Sequence, residues 1–305
     1  MMTDDQWEES PHVGILMNRL RVEEKLLIRE LESRGISYER LHDGELQFDI
    51  GNGSDWRRFD VVLERSISHS RAINALGILE SMGIPTVNTH PVAAVCGDKV
   101  RTSLALEEAE VSQPRCAVAF TPESALESAE RIGYPVVFKP STGSWGRLMA
   151  RADNRETARA ILEHKSTLGG VHHSIFYIQK YIEKGGKDIR AFVVGDETVC
   201  AIERRSDHWI TNTARGGEVT EYGVTPELHE ISLAAANAVG GGVLAVDLFL
   251  VDGEYLVNEV NYTMEFRNSM DPTGVDIPGR IIDYTLDVAA EAVNNPTTAA
   301  IGECA

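Results

Sequence analysis

Lysine is scarce in this chain, with seven residues among 305 beside 22 arginines. Basic residues number 29 against 47 acidic ones, for a formal net charge of −18. Such a cation deficit argues against nucleic acid as a partner, because a phosphate backbone is bound by clustered Lys and Arg. It argues equally against an anionic membrane surface. Cysteine is rare too: Cys96, Cys116, Cys200 and Cys304 form no C-x-x-C pair. That pattern fits neither a zinc ribbon nor a disulfide framework and points to a reducing cytosol. The polar, acidic segment from Met1 to Pro11 lacks the apolar core of a secretory signal. The longest apolar stretch, 231–251, is broken by Asn237, three glycines at 240–242 and Asp247, so it does not read as a membrane span. Internal repeats, low-complexity tracts and the P-loop pattern G-x-x-x-x-G-K-[ST] are all missing.

What remains is a globular composition. A hydrophobic share of 43% over this length supports about two domains or one multi-lobed unit. An acidic, lysine-poor surface suits a salt-rich cytoplasm, where excess charge is screened within a few ångströms. A halophilic, cytoplasmic protein is therefore expected.

The fold class reads as α/β (α+β). Strands are expected at 13–17, 61–63 and 84–88, with helices at 23–34 and 70–82. This alternation predicts a parallel sheet with helices on its faces over residues 11–92. A central lobe over 93–174 holds expected helices at 99–109 and 122–132, a buried strand ending at Lys139 and a Gly-rich loop. A third lobe over 175–290 holds strand-length runs at 175–182, 189–194, 198–203, 243–251 and 255–261. Helices are expected there at 227–239 and 278–290, and 291–305 reads as a tail.

The last hairpin is the most informative segment. A three-residue connection at Asp252-Gly253-Glu254 pairs Val251 with Tyr255 and places Asp247 opposite Glu259. Asn261 then shares their face, because side chains alternate with period 2. Facing carboxylates destabilise a sheet unless a cation neutralises them, and these oxygen donors suit Mg²⁺. A two-residue turn would instead put Asp247 and Glu259 on opposite faces.

Anion-binding groups are present as well. Lys139 closes a strand just before Pro140, and Ser141 to Gly146 follows with two glycines and three hydroxyl residues. Such a loop can bring backbone N–H groups against phosphate oxygens and can close as a lid. Lys99 follows Gly97-Asp98 at a helix start. Arg190, Arg204, Arg205 and Arg215 recur beside strand-like segments and could clamp phosphate or carboxylate from one cleft. Spacing alone leaves each of them equally readable as a surface residue.

Taken together, these motifs resemble the ATP-grasp fold, and within it the LysX/ArgX group of RimK-like ligases. The resemblance is carried by Cys96-Gly97-Asp98-Lys99, Phe138-Lys139-Pro140, Gly143-Ser144-Trp145-Gly146-Arg147, Gln179-Lys180-Tyr181-Ile182 and Asp188-Ile189-Arg190. It continues through Asn212-Thr213-Ala214-Arg215-Gly216-Gly217, Ala245-Val246-Asp247-Leu248-Phe249 and Asn258-Glu259-Val260-Asn261, then the LysX-like run Tyr262 to Ser269. These motifs keep their order over about residues 12–290.

The resemblance implies an N-terminal lobe followed by two ATP-clamping lobes. The implied activity is that of an ATP-dependent carboxylate–amine ligase. Members of the group join the α-amino group of 2-aminoadipate or glutamate to the C-terminal glutamate of LysW, a small acidic carrier, through an acyl phosphate in lysine or arginine biosynthesis. A RimK-like ligase adding glutamate to another protein or to a small molecule is the alternative. By the same resemblance Lys99 and Lys139 contact ATP phosphates, and the Gly143, Ser144, Trp145 and Gly146 loop covers them. Gln179, Lys180, Tyr181 and Ile182 form the adenine hinge through backbone groups and the Gln179 amide. Asp188, Arg204 and Asn212 belong to the nucleotide site, and Asp247, Glu259 and Asn261 hold Mg²⁺, two ions being expected. Arg190 and Arg215 are the candidates for stabilising the acyl phosphate and the tetrahedral intermediate. Arg65, Ser66, His69, Arg71, Thr213, Glu265 and Arg267 are candidates for binding the acidic amino acid. The hinge departs from the Gln-Glu-Tyr of many relatives, so the Lys180 side chain is expected to point away from adenine. A homodimer or homotetramer is expected. An acidic enzyme meeting an acidic carrier should gather its cations at the mouth of the site.

Overall fold

The computed structural model describes residues 10–143, 148–168, 175–211 and 217–294. It opens with β1 (His12–Met17), α1 (Val22–Ser33), β2 (Ser37–His42), β3 (Val61–Glu64), α2 (His69–Ser81) and β4 (Thr86–Val87). These strands form a parallel sheet in the order β2-β1-β3-β4. Alternation along β1 divides its side chains between two cores. Val13, Ile15 and Met17 pack with Leu27 and Leu31 of α1, whereas Leu16 packs with Leu41, Phe59 and Leu79. The expected strand at 84–88 is confined to Thr86–Val87, and β2 was not anticipated, because Ser37–His42 carries only one fully buried side chain.

Two short helices follow, α3 (His90–Cys96) and α4 (Lys99–Glu108). The second sheet comprises β5 (Cys116–Ala119), β6 (Val136–Lys139), β7 (Ala150–Ala152) and β8 (Phe176–Lys180), ordered β5-β8-β6-β7 and antiparallel. Helices α5 (Pro122–Ile132) and α6 (Arg155–Leu168) cover it, burying Ala125, Ala129 and Leu162 against Phe138 and Ile178. Thr121 accepts the Ser124 N–H and caps α5.

The third sheet is antiparallel and five-stranded: β9 (Lys187–Val194), β10 (Glu197–Arg205), β11 (Glu218–Tyr222), β12 (Val243–Val251) and β13 (Glu254–Asn261), ordered β11-β10-β9-β12-β13. Helix α7 (Pro226–Ala238) packs on one face, and α9 (Ile277–Asn294) joins the core shared with the first lobe. A short α8 (Arg267–Thr273) lies between β13 and α9.

Two expected lobe boundaries shift. Strand β8 pairs with β5 and β6, so the second sheet extends to Lys180 rather than ending at 174. Residues 90–108 pack against α7 and β13, because Val92, Ala93 and Leu106 belong to the core of the third sheet. Among the described residues, no helix is long and apolar enough to cross a membrane.

One buried side chain fastens the first lobe to the third sheet. The Asn88 amide donates to the carbonyls of Val243 and Tyr262 at 2.7 Å each and accepts the Val243 N–H at 2.7 Å. Gly242, at φ +109°, makes room, since a Cβ there would stand 2.1 Å from Asn88 Oδ1. Asn88→Ala would strand three buried backbone groups. It is expected to cost about 3 kcal/mol or more, measurable as a lowered midpoint in urea unfolding.

Candidate active site

The sheet register decides where the carboxylates go. The hairpin between β12 and β13 turns through two residues, Asp252 and Gly253, both at positive φ, and Val251 pairs with Glu254. The three-residue connection is thus corrected. A β-bulge at Asn258 then adds one residue to β13, so that Leu248 pairs with Val257 but Asp247 with Glu259. The bulge restores the facing carboxylates and also turns Asn258 inward, where its Oδ1 accepts from Lys139 Nζ at 2.9 Å.

Around Asp247 the third sheet carries a row of charges. Asp247 pairs in register with Arg190 of β9, whose Nε and Nη2 donate to its two oxygens at 2.6 and 2.8 Å. Arg204 of β10 reaches Asp247 at 3.2 Å and donates to Asp188 at 2.6 Å. Asp188 also takes Lys184 at 3.2 Å and the Thr211 hydroxyl. Burial alone would push the Asp247 carboxyl up, but Arg190 and Arg204 hold it at about 2.

The lysines come from the second sheet and from α4. Lys139 ends β6 fully buried, and desolvation lowers it to about 8 against the pull of Glu259, with Lys99 and Lys184 adding repulsion. Lys99 begins α4 beside the cap Asp98, whose carboxylate accepts the N–H groups of Val100 and Arg101. Its Nζ donates to the Gly143 carbonyl at 2.7 Å and lies 3.5 Å from Glu259. All these groups open onto one cavity between the second and third sheets.

Gln179, Lys180, Tyr181 and Ile182 line that cavity. The N–H groups of Lys180 and Tyr181 are already donated to the Arg115 and Pro135 carbonyls at 2.8 and 3.1 Å, so those two donors face the chain rather than a ligand. The Lys180 ammonium turns to the Gly133 carbonyl at 2.8 Å. Val137, Met149, Ile210 and Phe249 supply apolar walls, and Trp209 stands edge-on to Tyr181.

The amino-acid candidates separate. Ser66, His69 and Glu265 line the cavity. His69 Nδ1 lies 2.9 Å from the Tyr262 hydroxyl, and a Cβ at Gly97 would come within 2.0 Å of its ring. Arg65 is buried on Glu24 at 3.2 Å and on the Met264 carbonyl, away from the cavity. Arg71 is drawn aside by Asp43 at 2.9 Å. Arg267 lines only a small neighbouring cleft and lies 4.0 Å from Glu23. These three arginines are therefore withdrawn from the cavity wall. Ser144, Trp145, Gly146, Asn212, Thr213 and Arg215 lie outside the described residues. Arg21, Lys184, Trp209 and Asn258 line the cavity but were not singled out from the sequence. Asn258 alone carried a signal, standing inside a quoted motif.

Charge collects here against the overall trend. Lys99, Lys139 and Lys184, with Arg21, Arg190 and Arg204, face Asp188, Asp247, Glu259 and Glu265. Among the described residues, no three His, Cys, Asp or Glu side chains converge as a metal cage. Asp247, Glu259 and Asn261 form a mixed donor set on one face instead. The Asn261 amide nitrogen is buried without a partner, which leaves this amide free to turn its oxygen to a cation. Two carboxylates and an amide oxygen match the hard donors that Mg²⁺ takes.

With the geometry in place, the comparisons with known proteins are specific. Residues 96–285 match the model of the RimK-like ATP-grasp domain, and residues 13–95 match that of the LysX preATP-grasp domain. The chain is 34% identical over 280 residues to the α-aminoadipate–LysW ligase LysX of Saccharolobus solfataricus, covering 90% of this chain and 98% of that one. It is 31% identical over 277 residues to the glutamate–LysW ligase ArgX of Sulfolobus acidocaldarius, covering 89% and 97%. The crystal structure of a RimK-domain ATP-grasp protein from Sphaerobacter thermophilus superposes with a TM-score of 0.76 at 27% identity, over 90% of this chain and 99% of that one.

The buried Lys139 charge has a measurable consequence. Its folded value of about 8 lies below the ordinary 10.5, so between those pH values the unfolded chain binds a proton that the folded chain has released. Stability conferred at this residue therefore rises with pH across that window. Lys139→Met should remove the slope and stabilise the ligand-free protein at pH 7 by about 2–3 kcal/mol, read by denaturant unfolding from pH 7 to 10.

Proposed function

The chain belongs to the RimK-like ATP-grasp family, and we propose that it joins the α-amino group of 2-aminoadipate or glutamate to the C-terminal glutamate of a LysW-like carrier, forming ADP. The observation that carries this reading is the convergence of Lys99 and Lys139 with Asp247, Glu259 and Asn261 on one cavity. A carboxylate does not react with an amine at neutral pH, because its oxygen is a poor leaving group. Conversion to an acyl phosphate supplies a good one. The site must therefore bind phosphate, a carboxylate and an amine together.

Each requirement has a group to meet it. Lys99 and Lys139 would face the ATP phosphates, and the hinge at 179–182 with its apolar walls would take the base. Arg190 and Arg204 are already fixed on Asp247, so they would present their remaining N–H groups to developing negative charge without reorganising. Asp247, Glu259 and Asn261 would hold Mg²⁺, with two ions the expected complement. When bound, the metal supplies charge neutralisation at phosphate oxygens. His69 and Glu265 stand where a polar amino acid would meet them.

Both amino acids stay in the reading because they differ by one methylene, which a fitted pocket separates by only about 1–3 kcal/mol. The test is ADP release at high potassium chloride with each amino acid, with and without the carrier. Release that requires both carrier and amino acid is expected. Equal release with an unrelated acceptor would favour a general glutamate ligase. Glu259→Gln should lower kcat about 100-fold or more while the circular dichroism spectrum stays unchanged.

A further inference from the structure

The arginines that the sequence offered for an acidic substrate are turned away from the cavity, yet its first-lobe wall still presents a guanidinium. Arg21 stands just before α1, and its side chain is 16% exposed. Its Nε and Nη2 donate to the two oxygens of Glu24 at 2.9 and 2.8 Å, and its backbone N–H donates to Glu24 Oε2 at 3.0 Å. Glu24 is fully buried, and its Oε1, which Arg21 Nη2 also holds, meets Arg65 Nε at 3.2 Å. Arg65, itself 2% exposed, is pinned by the Met264 carbonyl at 2.9 Å. Two guanidinium groups thus share one buried carboxylate. The ion pair fixes Arg21 in place with its Nη1 toward Glu265, and the buried Glu23 adds a further negative charge nearby.

The remaining partner of Arg21 is weak. Nη1 reaches Glu265 at 3.4 Å, beyond the usual range, and the Glu265 side chain is 35% exposed. Glu265 also lines the cavity. This contact can be exchanged, whereas the pair with Glu24 is held from three directions.

Resting on the ligase reading above, we propose that Arg21 receives a carboxylate of the amino-acid substrate, positioned by the buried Glu24–Arg65 pair, while Glu265 turns from Arg21 to the substrate ammonium. A zwitterion with an extra carboxylate carries the two signs that this pair complements. Lysine cannot replace Arg21, because a single ammonium cannot grip Glu24 at two points and still offer an outward edge.

The test is steady-state ADP release by the full chain with carrier and either amino acid, comparing wild type with Arg21→Lys and Arg21→Met. Both variants should raise KM for the amino acid about 10- to 100-fold, the span of one lost charge-assisted hydrogen bond, with KM for ATP within about twofold. Arg58→Lys, at an exposed residue that pairs with Glu39 at 3.0 Å and does not line the cavity, should leave both values unchanged. Repeating the assay with a 2-aminoadipate analogue lacking the side-chain carboxylate locates the contact. A penalty that vanishes assigns Arg21 to the side chain, and one that persists assigns it to the α-carboxylate. Unchanged amino-acid KM in both variants, with wild type active, would overturn the role of Arg21 alone. No amino-acid-dependent ADP release by wild type would overturn the ligase reading instead. Should Arg21→Met fail to fold, Arg21→Lys still decides the matter, because it keeps the charge that compensates Glu24.

Discussion

Buried charges of both signs on one sheet face are the constraint around which the rest of the molecule is arranged. Asp188, Asp247 and Arg204 are almost without solvent, and Arg190 is nearly so. An isolated charge in such a place would be heavily penalised by desolvation. Each is tolerated because a counter-ion stands in register across the strands, Arg190 against Asp247 and Arg204 against Asp188. Removing one member leaves an uncompensated buried charge, so the row behaves as a unit. The register of the third sheet keeps that row aligned along one wall of the cavity.

Most of the scaffold could be read from the sequence because its helices and buried strands carry strong periodic signals. Helix α5 spans Pro122–Ile132 as expected, and β12 spans Val243–Val251. Among the elements that escape, β2 and the three-residue β7 are short or lack that signal, whereas the 14-residue α6 escapes despite its length. The hairpin is more instructive. Facing carboxylates were inferred from a three-residue turn, but the chain uses the tight Asp-Gly turn and then inserts a bulge at Asn258. The two departures cancel at Asp247 and Glu259. Strand arithmetic cannot reveal a bulge, since nothing in local composition distinguishes Asn258 as the extra residue. The bulge matters because it turns the Asn258 amide toward Lys139 as well.

The substrate side was less legible for a different reason. Local sequence shows which residues are cationic, but not which have already been claimed by a buried anion. Arg65, Arg71 and Arg267 have nearby carboxylates in Glu24, Asp43 and Glu23, all brought close by tertiary packing. Local sequence does not single out Arg21, because it sits before a helix and its value depends on Glu24 three residues later and on Arg65 just after β3. Charge pairing across 41 and 244 residues is a property of the folded chain.

The same logic resolves the opposition between an acidic chain and an anionic substrate. Four of only seven lysines, 99, 139, 180 and 184, line a cavity where desolvation lowers Lys139 and Lys184 and mutual repulsion lowers Lys139 further. Cations held so close together in a low-dielectric site are unfavourable until an anion enters. The ligand-free protein therefore stores an electrostatic demand that a polyphosphate satisfies, while the surface carries the excess of acid. Net charge describes how the surface meets solvent. What the cavity binds depends on the cations that tertiary structure gathers there in excess of carboxylates, and that local balance runs opposite to the global one.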